Sequence, residues 1–247
     1  GSSGARSFRQ RQEALPLGDA PHSWRPADAS SFEVRGATYL VDKRKVKAGP
    51  PMFQLACLDI LRFGEEGPVQ RAAEHPDLYP KLQRLQQDRR FFLVQNWILP
   101  SLQVVVIGAL HPEAPWASGD TPQSRAWRRF LAKSPQEQKK AFKIIVSVEE
   151  GPWLVKRAVP KRPVVVGRPL KMVTHYVPSE HFEIVVDVSS GKTEQVVTGL
   201  VLRALKNLQL NIATLIEGAQ EDELPEALLM CAGLTKIDAS LLSCPAA

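Results

Sequence analysis

Three groups of residues in this chain have types and spacings that chemistry could use. The first is DVSSGKT at 187–193, which follows a strand-like run and opens a helical one. Lys192 and Thr193 match the end of a phosphate-binding loop, but that loop needs a glycine five residues before Gly191, where Val186 stands. Without it the backbone N–H groups cannot wrap a phosphate, and the stretch reads as a strand-to-helix turn. The second is His175 and His181, which flank a hairpin turn over 176–180. A metal ion needs further ligands, and no Asp, Glu or Cys cluster supplies them. No G-x-S-x-G elbow presents a nucleophile, and Glu149 and Glu150, adjacent on a strand, point to opposite faces. These readings leave no catalytic residue, no metal and no cofactor.

The third group is Trp153, Lys156 and Arg157, within the run EGPWLVKRAV at 150–159. On a strand, Arg157 returns to the face of Trp153 while Lys156 lies opposite, so one of the two cations faces inward. A buried cation needs a partner. Two are open: a carboxylate such as Asp187, or the headgroup of a ligand. Asn207 and Asn211, one helical turn apart, pose the same choice between pocket groups and satisfied core amides.

The elements that position these residues follow from patterning. Residues 1–31 are polar and proline-bearing and read as a flexible arm. Arg6, Arg9 and Arg11 sit in it, and the opening Gly-Ser-Ser-Gly reads as an appended scar or a trimmed start. Residues 32–242 read as one domain. The run 32–42 alternates as a strand pair broken at Gly36, and Lys43, Arg44, Lys45 and Lys47 form a basic loop. Residues 53–63 fit helix or strand equally. Two short helices are expected over 68–74 and 78–87, and a hairpin over 91–99 and 103–110. Residues 124–133 and 135–141 read as helical. From 142 a β-meander is expected, with strands at 142–148, 153–159, 164–167, 171–177 and 181–188 joined by short proline-bearing turns. Residues 192–216 read as one helix of about 37 Å at 1.5 Å per residue. Val196, Val197, Leu200, Val201, Leu205, Leu208, Ile212, Leu215 and Ile216 share its broad apolar face. After it, Glu217, Glu221, Asp222, Glu223 and Glu226 form an acidic tail that either folds back onto basic loops or is solvated, with the solvated reading put first.

Size and charge bound the rest. The 247 residues carry a net charge of +6, with 44% hydrophobic and 23% charged residues, ordinary for a globular protein. The positive balance favours anionic partners. The stretch 125–143 holds Arg125, Arg128, Arg129, Lys133, Lys139, Lys140 and Lys143 against Glu137 alone. With Trp127, Phe130 and Leu131 it reads either as a membrane-surface helix or as a packed helix with a solvated basic face. No nucleic-acid motif accompanies it. Cys57, Cys231 and Cys244 have no paired spacing and read as free thiols in a reducing compartment, cytoplasmic or organellar rather than secreted. The longest apolar run is too short to span a membrane.

Six blocks in order carry a family resemblance. They are FEVRGATYLVDKRKVKA (32–48), FFLVQNWILPSL (91–102), FKIIVSVEEGPWLVKRAV (142–159), VVVGRPLKMVTHY (164–176), FEIVVDVSSG (182–191) and IEGAQEDELPEALL (216–229). Together they resemble the C-terminal domain of the plant Enhanced Disease Resistance Two proteins, whose signature is of the type SVVEGPWIVKRAVG. Two positions depart from the pattern: Pro100-Ser101 replaces Pro-Gly, and Val146 replaces a proline. Many plant members carry phosphoinositide-binding and START-type lipid-transfer domains upstream, which this chain is too short to hold.

The resemblance implies a domain associated with lipid binding. With the patterning, it gives an α+β domain in which a curved antiparallel sheet grips a long C-terminal helix. Whether the space between sheet and helix is an apolar cleft or a filled core is open at this point. The expected function is noncatalytic binding of a lipid or other hydrophobic molecule, with basic loops on an anionic membrane surface. The alternative is a protein-interaction module or a subunit of an organellar assembly. The candidate ligand contacts are Trp97, Trp153, Lys156, Arg157, Tyr176, Asn207 and Asn211. The candidate membrane contacts are Arg125, Arg128, Arg129 and Lys133. Expected partners are the lipid, an anionic membrane and a protein, with no nucleic acid.

Overall fold

The computed structural model describes residues 15–242 apart from 112, 160 and 168. Arg6, Arg9, Arg11, the opening Gly-Ser-Ser-Gly and Cys244 therefore lie outside the described residues. Two five-stranded sheets pack face to face among the described residues.

The first sheet runs β1 (Ser23–Pro26), β12 (Leu228–Thr235), β11 (Gln209–Ile216), β7 (Phe142–Glu150), β8 (Val164–Val165), antiparallel throughout. The second runs β4 (Gln54–Arg62), β6 (Leu102–Ala109), β5 (Phe92–Ile98), β10 (His181–Asp187), β9 (Lys171–Val177). Its strands are antiparallel except for β5 and β10, which pair in parallel from His181 against Phe92 to Asp187 against Ile98. A two-stranded ribbon, β2 (Glu33–Arg35) with β3 (Lys45–Lys47), stands apart and encloses the one-turn helix α1 (Tyr39–Asp42). The remaining helices are α2 (Tyr79–Leu85), α3 (Pro115–Ser118), α4 (Pro122–Ala132), α5 (Pro135–Ala141), α6 (Trp153–Ala158) and α7 (Lys192–Ala204). None is long and apolar enough to cross a membrane.

The α+β class expected from the sequence is what the chain adopts, with several elements corrected. The helix expected over 192–216 ends at Ala204. A single 3-10 turn over Leu205–Asn207 follows, and β11 then occupies the centre of the first sheet. Spacings of four residues, such as Leu208, Ile212 and Ile216, keep a face in a helix and also in a strand, so the apolar pattern fits both periods. Ile212, Thr214 and Ile216 are β-branched, and β11 finds partners on both edges in β7 and β12. No long C-terminal helix is therefore gripped by the sheet. The strand expected over 153–159 is the helix α6: Gly151 turns the chain at φ +148°, and Pro152 precedes the first helical residue. The meander is also divided, since β7 and β8 belong to the first sheet and β9 and β10 to the second. Of the arm expected over 1–31, Ser23–Pro26 is β1, paired with β12. The basic loop supplies β3, and of the two helices expected near 68–87 only α2 forms.

The interior between the sheets is apolar, and strand alternation assigns its residues. Leu58 and Ile60 of β4, Leu93 and Trp97 of β5, and Phe182, Ile184 and Val186 of β10 face Phe142 of β7 and Leu210 of β11. Trp97 stacks on Phe142 with ring centroids 6.0 Å apart. Gln95 Nε2 donates to Thr214 Oγ1 at 2.7 Å, a buried hydrogen bond across the two sheets. The sheets approach so closely at Gly108 that a Cβ there would lie 2.3 Å from Met230 Sδ.

The second sheet is covered on its outer face as well. Cys57, Leu61, Phe92, Val94, Val105 and Ile107 pack under Ala72, Ala73 and Leu78. Glu183, fully buried on β10, holds that cover in place. Its carboxylate accepts from Ala72 N–H at 2.8 Å, Ala73 N–H at 3.1 Å and Asn96 Nδ2 at 3.1 Å. Gln103 and Asn96 bind Val69 on the same layer.

Two buried carboxyl groups make this layer testable. Glu183→Ala leaves two buried N–H groups without an acceptor and is expected to cost about 3 kcal/mol of stability. Denaturant midpoints measure the loss, and limited proteolysis near Arg71 reads the release of the cover. Asp59 on β4 is the second case. Burial pushes its carboxyl up to about 6 from an ordinary 3.8, against the opposing pull of the Cys57 thiol, whose sulfur lies 3.6 Å away. Between these values the folded protein keeps a proton that the unfolded chain has released, so stability falls as pH rises through the window. Asp59→Asn should abolish that fall, which is on the order of 3 kcal/mol. Unfolding at pH values below and above the window, for both proteins, checks it.

Candidate functional site

A cleft of about 660 Å³ opens at one end of the sandwich. The β2–β3 ribbon gives Val34 and Val46, the chain entering β4 gives Pro50, Pro51 and Met52, and α3 gives Pro115 and Trp116. Pro225 and Ala227, before β12, close it. The sequence shapes these walls locally. Pro50, Pro51 and Pro115 lack N–H groups and hold the chain extended or at a helix start, which suits short irregular walls between elements. Met52 N–H donates to Leu228 O at 2.8 Å and Phe53 N–H to Leu229 O at 2.9 Å, so this wall is stitched to the opposite sheet. The Trp116 indole donates to Met52 O at 2.9 Å, and its ring meets Phe53 edge-on at 5.3 Å.

The polar groups on the cleft are Glu226 on its wall and Lys47, Gln54, His111, Glu113, Thr121 and Gln123 around it. Glu226 Oε1 accepts from Gly218 N–H at 3.0 Å and Oε2 from Arg35 N–H at 3.0 Å. The same carboxylate lies 3.6 Å from Arg35 Nε and 3.5 Å from Lys143 Nζ. His111 Nδ1 accepts from Glu113 N–H at 3.2 Å. Thr121 Oγ1 accepts from Ser124 N–H at 3.2 Å as the cap of α4. The arrangement can enclose an apolar body and meet a polar end at its mouth.

The seven ligand contacts expected from the sequence lie elsewhere. Trp97 is buried between the sheets, and Tyr176 is half exposed on β9 against Phe91 and Phe182. Trp153, Lys156 and Arg157 sit on α6 and all three are exposed, so neither cation points inward to a buried partner such as Asp187. Lys156 Nζ donates to Glu149 O at 2.8 Å, and the Arg157 guanidinium stands 5.8 Å from the Trp153 ring centroid. Asn207 is exposed in the turn after α7, while Asn211 is buried on β11, its Oδ1 accepting from Arg25 Nη2 at 3.4 Å. The change from helix to strand between them removes the helical turn that was to align the two amides. The cleft residues that sequence reasoning missed carry one visible signal, the adjacent Pro50-Pro51 and the Pro115-Trp116 pair beside apolar neighbours.

The basic run is engaged by acidic residues. On α4, Arg125 Nη2 bonds Asp120 Oδ2 at 2.8 Å and Arg128 Nη2 bonds Asp120 Oδ1 at 2.7 Å. Arg129 Nη1 lies 2.6 Å from Asp222 Oδ1 and 3.1 Å from Glu223 Oε1, which raise its pKa further above the ordinary arginine value. Lys143 Nζ lies 2.7 Å from Glu217 Oε2. Acidic residues expected to be solvated thus fold back onto basic residues expected to face a membrane. Lys133 caps the C-terminus of α4. The helix packs Trp127 and Phe130 inward, as the packed-helix alternative has it.

Comparison with known proteins agrees with this geometry in extent. The family model described as Protein ENHANCED DISEASE RESISTANCE 2, C-terminal, matches residues 24–238, from within β1 to just beyond β12. A relative, the Protein ENHANCED DISEASE RESISTANCE 2-like of Arabidopsis thaliana, is 23% identical over an alignment of 236 residues that covers 90% of this chain. The chain spans 30% of that relative's length. No solved structure matches it. With a family model covering both sheets and the helices between them, the chain belongs to the Enhanced Disease Resistance 2 C-terminal family.

Proposed function

We propose that this domain binds a lipid or other hydrophobic small molecule without catalysing its conversion. The observation that carries the reading is the cleft of about 660 Å³ with walls of Val34, Val46, Met52, Trp116 and Ala227. Its size is that of a small-molecule site, and its polar groups could orient a ligand against the apolar walls. The lipid association implied by the family resemblance supports the same class. Glu226, the buried carboxylate on the wall, is engaged by Arg35 and Lys143 and is not offered to a substrate. The ligand site moves, in this reading, from a helix–sheet interface to the end of the sandwich.

Native mass spectrometry of the purified protein, with organic extraction of what copurifies, tests this. A stoichiometric apolar molecule is expected. Gln54 is exposed at the cleft rim, and Gln54→Trp should fill the opening and lower occupancy by about tenfold or more with the melting temperature unchanged. A clean ligand-free mass, with no uptake from mixed liposomes, overturns the reading.

A further inference from the structure

The net charge of +6 is not spread evenly over this fold. The arginines of α4 and Lys143 are neutralised by Asp120, Glu217, Asp222 and Glu223. Among the described side chains, no carboxylate pairs with Lys45, Lys47, Lys156 or Arg157 within 4.0 Å. Lys161 stands between the two pairs, with Glu149 on the α6 side. Lys161 lines a cleft of about 420 Å³ with Lys45, Lys47, Ser30 and Ser31, where Glu33 is the acidic member. Lys161 Nζ is also 3.9 Å from Glu149 Oε1, on the residue whose carbonyl receives Lys156.

On the same side α6 presents large apolar side chains to water. Trp153 is 68% exposed and Leu154 51%, on a helix held down by Val155, which is 1% exposed. Lone exposed apolar residues are common on any surface. Here a Trp and a Leu stand adjacent, fixed by a glycine-proline turn and a buried anchor, with Lys156, Arg157 and Lys161 beside them. Aromatic and aliphatic side chains at the headgroup level with Lys and Arg beside them are the chemistry of an anionic bilayer surface. We propose that the α6 face docks on an anionic lipid surface, with Trp153 and Leu154 entering the interface and Lys156, Arg157 and Lys161 at the phosphates. This deepens the hydrophobic-ligand reading, on which it rests for the choice of a lipid surface, by placing the membrane contact at α6; it needs no occupied cleft.

Flotation with phosphatidylcholine vesicles, with and without phosphatidylserine, tests the proposal on the full chain. Binding is expected only with phosphatidylserine and should weaken as salt rises. Lys156→Glu with Arg157→Glu should lower partitioning by about a hundredfold, and Trp153→Ala with Leu154→Ser by about tenfold. Arg128→Gln, on the neutralised α4 face, should leave binding unchanged. All substituted positions on α6 are exposed, and a thermal melt confirms that each variant folds. Equal binding to neutral vesicles, or binding unchanged in the α6 variants, overturns the proposal. So does concentration-dependent self-association lost with Trp153→Ala, which would assign the face to a second copy of the chain. Gln54→Trp should retain vesicle binding, so failure of the cleft and failure of the docking face are separable.

Discussion

The ion cluster of Lys143, Glu217, Glu226 and Arg35 ties the β2–β3 ribbon to the first sheet, with which the ribbon shares no strand pairing. Lys143 is the second residue of β7, Glu217 and Glu226 bracket the connection from β11 to β12, and Arg35 ends β2. Glu226 and Lys143 are buried, so each needs the other's charge, and the backbone N–H groups of Gly218 and Arg35 complete the carboxylate's shell. Burial works against the charge of Glu217, yet Lys143 and Arg35 hold its pKa below the usual carboxylate value. The rest of the molecule depends on this cluster in two ways. It fixes the β2–β3 ribbon over the first sheet, where the ribbon forms one wall of the apolar cleft. It also draws the acidic connection inward to reach α4, which removes that helix from the set of free basic surfaces.

The sandwich itself rests on apolar burial, with few polar crossings. Gln95 with Thr214 is one, and Trp97 on Phe142 is an aromatic counterpart in the same interior. The outer layer over the second sheet works differently. It is short of large side chains, with Ala72 and Ala73 at its centre, and is held by the buried carboxylate of Glu183. Small residues let the backbone come close enough for its N–H groups to be the ligands of that carboxylate.

What could be read from the sequence divides along the same lines. The hairpin of β5 and β6, the helices α4 and α5, and the hairpin of β9 and β10 were legible because their turns or starts carry proline and their patterns have one period. The strand β11 was not, because apolar residues four apart satisfy both periods and only its two strand partners decide. The helix α6 was hidden for a related reason: WLVKR alternates acceptably as a strand, and the deciding feature is the backbone at Gly151. The placement of charge was least legible. Asp222 and Glu223 reach Arg129 through the tertiary fold, across 93 and 94 residues of chain. The cleft drew on five separate segments, and only its proline pairs left a mark in the sequence.

The strand β1 has an implication for handling the domain. It covers β12, whose eight residues are all buried, and β12 would otherwise be the rim of the first sheet. A polypeptide trimmed to residue 32 would leave the Ala232–Thr235 half of β12 with unpaired backbone groups on that edge. Such a rim recruits strands from neighbouring molecules and seeds aggregation. Four residues that look like part of a tail therefore act as a shield, and a soluble fragment of this domain must begin before Ser23.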